Sequence, residues 1–285
     1  MATLKQIRRR IRSVQSTMQI TKAMQMVAAA KLRKAQTQAE AARPYAEKLE
    51  HVLANLSGAA RSLSHPLFEE RKDDRILLTV VASDKGLCGA FNANVFRHAE
   101  ERIEHLGPAR VRLVPVGKRT CGYFKRRGWP MDDAIPLLGD QVDLMMVREL
   151  GRKAIDLFLE GEIDRVEFLF TRFISTSKRV VDVTSLVPII PATDSEGETG
   201  EDYIFEPDPE AIFNSLLPRF VSMRVLSILA DSLASEFSAR MIAMSNATKN
   251  ADEMIDSLTL TANKLRQAAI TKELLEIVSG AAALE

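Results

Sequence analysis

The chain has 285 residues, 46% of them hydrophobic, and 39 lysines and arginines against 38 acidic residues, a formal net charge of +1. That length allows one or two domains with a real core, and the near-neutral total excludes a general electrostatic drive toward nucleic acid or an anionic membrane. Two cysteines, Cys88 and Cys121, lack CxxC or metal-ligand spacing, do not suggest a disulfide framework, and fit a reducing, cytosol-like compartment.

From Met1 to Ala39 there is no acidic residue but many basic ones, including Lys5, Arg8, Arg9, Arg10, Arg12, Lys22, Lys31, Arg33 and Lys34. A mitochondrial transit peptide shares that composition. The segment, however, also carries a heptad that a disposable peptide does not need. In steps of three and four it runs Leu4, Ile7, Ile11, Val14, Met18, Thr21, Gln25, Ala28, Leu32, Ala35, Ala39, Ala42, Ala46, Leu49, Leu53 and Leu56, with only Thr21 and Gln25 polar. A seam sustained this long predicts one strand of a coiled coil over residues 1–58. Pro44 removes a hydrogen bond and crowds the preceding turn, so a bend is expected near Ala41 to Tyr45.

The middle, residues 75–206, reads as an α/β foot. Strands are expected at Arg75 to Ala82, Val111 to Val116, Arg165 to Ile174 and Val180 to Ile190. Helices are expected at Asn92 to His105, near Lys118 to Arg127, and at Val142 to Leu159. Alternation of this kind favours a mainly parallel sheet covered by helices. Residues Asp194 to Asp202 form an acidic, glycine-containing loop.

A second long helix is predicted over residues 209–285, opened by Asp208 as cap and Pro209 at the first helical position. Its seam runs Leu226, Ala230, Leu233, Phe237, Arg240, Met244, Ala247, Ala251, Met254, Leu258, Thr261, Leu265 and Ala268. At about 1.5 Å per residue the two helices would be roughly 80 and 110 Å long. The fold class is therefore α/β, with a long antiparallel coiled coil from both termini and a central mainly parallel domain.

If the foot joins both helices at one end, Leu56 lies near Pro209. Thr21 and Gln25 then face Arg240, and the alanine-rich stretch Ala35 to Ala46 faces Phe220 to Leu233. Ile270 to Leu284 have no partner within the chain and form an apolar tip suited to a sleeve from another protein.

The loop Ser83 to Asn92, containing Gly86, Cys88 and Gly89, follows a strand and opens a helix, where α/β folds bind phosphates. It is neither G-x-G-x-x-G nor G-x-x-x-x-G-K-[ST], so a tight turn needing glycine dihedrals, with Cys88 as a buried structural thiol, is the better account. His51, His65, His98 and His105 are scattered, with no HExxH or Cys/His cluster, and read as solvated surface residues. There is no GxSxG elbow. No catalytic, cofactor-binding or metal-binding constellation is expected. The basic N-terminal face invites a nucleic-acid reading, but no aromatic residue precedes Tyr45. A cationic helix against acidic protein loops explains the same charge.

Three segments carry a closer likeness. Ile20 to Lys31, Ser83 to Asn92, and Ala239 through Asn250 and Ala251 to Leu274 together resemble the gamma subunit of F-type ATP synthase, and the resemblance covers essentially the whole chain. Tyr203 to Pro209 marks entry to the second helix. The resemblance implies a non-catalytic rotor shaft, one copy per complex. Its coil lies inside a hexamer of alternating alpha and beta subunits, and its foot binds epsilon and a membrane ring of c subunits. Proton-driven rotation of that ring would drive the beta sites through binding, making and releasing ATP. By matching position, Lys22, Met24, Arg240, Arg266, Gln267 and Thr271 would contact beta, and Tyr203 and Phe205 would face the ring and epsilon. The expected location is the cytoplasmic face of a bacterial plasma (inner) membrane, held peripherally, with no cofactor, no nucleic acid and no direct membrane insertion.

Departures from the family pattern are Ala90-Phe91, where glycine and leucine are common, Thr261-Ala262-Asn263 in place of an aromatic-containing segment, and Pro218 near the base of the second helix. The cysteine-bearing insertion of the chloroplast version has no counterpart. Two other classes stay open on residues alone, a nucleotide-using α/β enzyme with helical arms and a coiled-coil scaffold or nucleic-acid binder.

Overall fold

A computed structural model of the chain describes residues 3–59, 65–72, 74–136, 138–190 and 209–282. The elements in chain order are α1 (Leu4–Ala59), β1 (Ile76–Val81), α2 (Phe91–Leu106), β2 (Val111–Val116), α3 (Lys118–Arg126), α4 (Leu144–Leu159), β3 (Arg165–Phe173), β4 (Arg179–Val187) and α5 (Pro209–Ala282). Every helix and strand expected from pattern is present, with ends displaced by a few residues at most. The chain divides into two compact units, residues 29–239 and residues 1–28 with 240–285.

In the larger unit four strands form one sheet in the order β2-β1-β3-β4. β1 pairs parallel with β2 and with β3, and β3 pairs antiparallel with β4. The sheet is thus mainly parallel, with an antiparallel edge strand. β1 is buried along its whole length because it is central and covered on both faces. Leu78, Val80, Leu113 and Leu169 share one face with Val95, Phe96, Ala99 and Ile103 of α2 and Phe124 of α3. The alternate residues Leu77, Thr79, Val81, Val166, Phe168 and Phe170 are directed to the other face by the two-residue strand period. Arg112, on that face, bonds Glu162 just past α4.

α5 packs on both the sheet and α4. The Ser235 hydroxyl donates to Thr171 O at 2.9 Å and the Ser238 hydroxyl to Thr176 O at 2.5 Å. A Cβ placed on Gly151 of α4 would stand 3.5 Å from Val221. By length and composition α5 is apolar enough to cross a membrane, with mean hydropathy reaching 1.3 over an 18-residue window. Leu217, Val221, Val225 and Leu229 nevertheless have no solvent exposure, so this apolar stripe is already committed to the protein interior. Pro44 and Pro218 both lie inside helices that continue through them.

In the smaller unit the α1 seam is as read. Ile7, Thr21 and Ala28 are buried, and Leu4, Ile11, Val14, Met18 and Gln25 are half-buried. Leu32, Ala35 and Leu49 continue it as buried residues in the larger unit. The side chains of Ala39, Ala42, Ala46, Leu53 and Leu56 lie outside the described residues, as do Asp208 and the acidic loop Asp194 to Asp202.

Two expectations about the coil are corrected. The Thr21 and Thr248 hydroxyls are 2.8 Å apart, so Thr21 faces Thr248 and not Arg240, roughly two helical turns away. The offset that placed Leu56 level with Pro209 is therefore misjudged by about one turn, and equal rise from the Thr21–Thr248 contact puts Gln25 level with Met244 and not Arg240. Beyond Ala251 the α5 seam also steps four before three. Ile255 and Leu258 are half-buried and Ala262 is buried, while Met254 is 52% exposed and Thr261 is exposed. Packing selects the apolar Ile255 and the small Ala262. Thr261 turns outward and donates to Ser257 O at 2.9 Å.

Candidate functional site

Two regions bear on function, the loop after β1, whose sequence reads as a structural turn, and the free end of the coil. β2 and β3 flank β1 on opposite sides, so the carboxyl end of β1 is the topological switch point, where open α/β sheets place ligands. Here that place is filled from within. The Asp84 carboxylate accepts from the backbone N–H of Lys118 at 3.0 Å, of Leu138 at 3.1 Å and of Gly139 at 2.9 Å. An aspartate at the N-terminus of α3 occupies the position a phosphate would need.

The rest of the loop is tied to itself. The Ser83 hydroxyl lies 2.6 Å from Lys85 O and 2.8 Å from Asn92 Oδ1, and the Ser83 N–H donates to the same Asn92 oxygen. Asn92 Nδ2 reaches Cys88 Sγ at 3.4 Å. Cys88 is 2% exposed within the core cluster. Gly89 takes a left-handed conformation with φ 59°, but the second left-handed residue is Leu87 at φ 63°. Gly86 serves a different purpose from dihedral freedom. A Cβ there would stand 3.1 Å from Arg119 Nη2, so it makes room for that guanidinium. Among the described residues no group of three His, Cys, Asp or Glu is placed to hold a metal.

His65 is more than a solvated histidine. Its Nδ1 accepts from the Leu67 N–H at 3.2 Å, capping a short 3-10 turn, and its Nε2 lies 3.3 Å from Asn214 Oδ1. Cys121 Sγ contacts Pro115 O and Ile135 O, and burial pushes its thiol pKa up.

Along the coil, the expected contact residues divide by exposure. Lys22 is exposed and Met24 half-buried on α1, whereas Arg266, Gln267 and Thr271 are exposed on α5, the last with its hydroxyl donating to Gln267 O at 3.0 Å. Arg240 is only 9% exposed. Tyr203 and Phe205 lie outside the described residues. The reading by seam missed Ile20, Met26 and Val27, which are 60%, 61% and 55% exposed. Their signal was present in the sequence, apolar residues at helical positions the seam does not use.

With Thr21 at the level of Thr248, equal rise brings Leu4 to the level of Leu265. From Arg266 to Ile277 every residue of α5 is exposed, including Ile270, Leu274, Leu275 and Ile277 at 51–68%. Among the described residues none covers this stretch of α5, whose apolar side chains are bare, in keeping with the excess length of the second heptad.

The family model described as ATP synthase matches residues 3–284. The ATP synthase gamma chain of Moorella thermoacetica is 48% identical over 285 residues, covering all of both chains. That of Desulforamulus reducens is 45% identical over 287 residues, again end to end. This chain belongs to the ATP synthase gamma-chain family. The gamma-chain fold extends to solved structures at much lower identity. A chain of the Euglena gracilis mitochondrial ATP synthase assembly of OSCP, F1 and c-ring aligns with TM-score 0.66 at 17% identity, covering 99% of this chain and 94% of that one. A chain of the Tetrahymena thermophila mitochondrial ATP synthase central stalk and c-ring aligns with TM-score 0.60 at 23% identity, covering 80% and 99%.

Proposed function

We propose that this chain is the rotating central shaft of a proton-translocating ATP synthase, and that it carries out no chemistry itself. The observation that supports this most directly is the unaccompanied end of α5, whose exposed Ile270, Leu274, Leu275 and Ile277 need a surrounding apolar sleeve. A hexamer of alternating alpha and beta subunits is that sleeve, and the nucleotide sites belong to it. Family membership and a switch point already filled by Asp84 support the same division of labour.

Exposed Lys22, Arg266, Gln267 and Thr271, with Met24, are the proposed contacts to beta, joined by Ile20, Met26 and Val27. Arg240, 9% exposed, is a further proposed contact to beta. Tyr203 and Phe205 are the proposed contacts to the c-ring and epsilon. One copy per complex, held peripherally at the cytoplasmic face of a bacterial inner membrane, suits an asymmetric shaft. Rotation of such a shaft presents different side chains to each beta subunit in turn, which supplies the differential contact that coupling between distant sites requires.

Reconstitution with alpha and beta subunits tests the proposal. ATPase activity should rise when the chain is added, and removal of residues 277–285 should loosen assembly while leaving the helix content of the isolated chain intact. Unfolding of the isolated chain on that truncation, or ATPase indifferent to the whole chain, would refute it.

A further inference from the structure

Within the unit of residues 29–239, the buried α1 residues Leu32, Ala35 and Leu49 are all apolar. Such contacts are non-directional, and alanine offers a shallow ridge, so they resist separation of α1 from its neighbours better than rotation about its own axis. Lys31 is different. Its Nζ lies 2.6 Å from Asp140 Oδ2 and 5.7 Å from the Phe237 ring centroid. Among the described residues it is the α1 side chain with a charged contact to the α/β elements. Asp140 also stands 3.8 Å from Lys85, and adjacent Gly139 donates its N–H to Asp84. A run of polar contacts thus leads from α1 through Lys31, Asp140 and Asp84 to the start of α3 and the carboxyl end of β1.

We propose that Lys31 is a positioning residue that locks α1 rotationally to the α/β elements through Asp140, so that torque applied to those elements reaches the helix without slip. This rests on the shaft reading. Side-chain exposures of 32% for Lys31 and 52% for Asp140 make the pair a minor contributor to stability. Its role is to supply direction where apolar packing supplies none. Loss of the pair should therefore leave the fold and the binding of alpha and beta intact and appear in coupling.

The test uses the assembled complex in sealed vesicles, with ATP hydrolysis and ATP-driven proton uptake measured on one preparation. Lys31→Met keeps the aliphatic stem against Phe237 and removes the charge, and Lys31→Glu reverses it. Both should keep hydrolysis within about twofold of the unmodified complex. Protons taken up per ATP should fall, by up to about fivefold, the ceiling for a pair of this exposure. Lys31→Arg, and Lys31→Glu combined with Asp140→Lys, should restore most of the ratio. Unchanged coupling in Lys31→Glu, or equal loss in Lys31→Arg with helix content retained by circular dichroism, would overturn the proposal. A different failure, in which the unmodified chain neither stimulates hydrolysis nor supports proton uptake, would overturn the shaft reading itself.

Discussion

The pairing of Thr21 with Thr248 can be tested by a double-mutant cycle. Three contacts meet there, Thr21 to Thr248 at 2.8 Å, Thr21 to Met18 O at 3.0 Å and Thr248 to Met244 O at 2.8 Å. Two hydroxyl hydrogens serve all three. In Thr21→Val, the Thr248 hydroxyl still donates to Met244 O, so no donor is orphaned and the loss is that of one neutral hydrogen bond, about 1 kcal/mol. Thr248→Val mirrors it. The double variant replaces both hydroxyls by methyls in a mainly apolar seam, and should be near neutral. The coupling energy, the change in the double variant less the two single losses, should therefore be about 2 kcal/mol, with each single variant lowering a helix-detected melt by roughly 2–4 °C. Additivity within about 0.3 kcal/mol would refute the contact. Cysteines at 21 and 248 should also cross-link on oxidation, because paired positions fall within disulfide reach of about 7 Å. Cysteines at 21 and 240, displaced by about 12 Å along the helix, should not.

Two glycines should separate backbone strain from steric clash. Gly117 has φ 98°, and a Cβ there would lie 2.3 Å from Ala82 O, so Gly117→Ala should cost more than about 3 kcal/mol in denaturant unfolding. Gly128 has φ 72° with nothing within 4 Å of a Cβ, so Gly128→Ala should cost only about 1 kcal/mol, and equal costs would contradict the geometry. Acid should weaken the fold through Asp164 and Asp133. Burial raises the Asp164 carboxyl pKa, but hydrogen bonds and charge from Arg75 and neighbouring backbone N–H groups more than offset it, leaving it below its ordinary value. The hydrogen bond from Lys153 lowers that of Asp133. Depressed folded values mean the stabilisation is complete above the ordinary carboxylate range, near pH 4, and is lost as pH falls through them. Arg75→Leu leaves the raising effect of burial at Asp164 without its main offset, so acid unfolding should begin at higher pH. An unchanged acid midpoint would contradict this.

Much of the fold could be read in advance because its signals are local. The heptad from Leu4 to Leu32 names the buried side of α1 almost residue by residue, since a helical period forces those positions onto one face. The strands showed themselves as apolar runs between turns, and Arg165–Phe173 and Arg179–Val187 differ from expectation only at their ends. The excess of the second heptad over the first already required a stretch of helix without a partner. Offset between the helices was not legible in this way, because every heptad shift buries a similar set of apolar residues and only the meeting of two hydroxyls distinguishes one from another. For the same reason Met254 and Thr261 could not be told from Ile255 and Ala262 by period alone.

The loop after β1 shows the other limit. Its sequence established the absence of a phosphate-binding motif and a thiol beside a helix start. That Asp84 reaches three backbone N–H groups across the chain, and that Lys31 meets Asp140, depends on residues more than 30 positions apart being brought together. By itself the sequence determined the elements, their buried faces and the overrun of α5, because periodicity is a property of neighbours along the chain. Tertiary structure decided register, what fills the switch point and which charge grips α1, because those depend on distances between segments that periodicity does not encode.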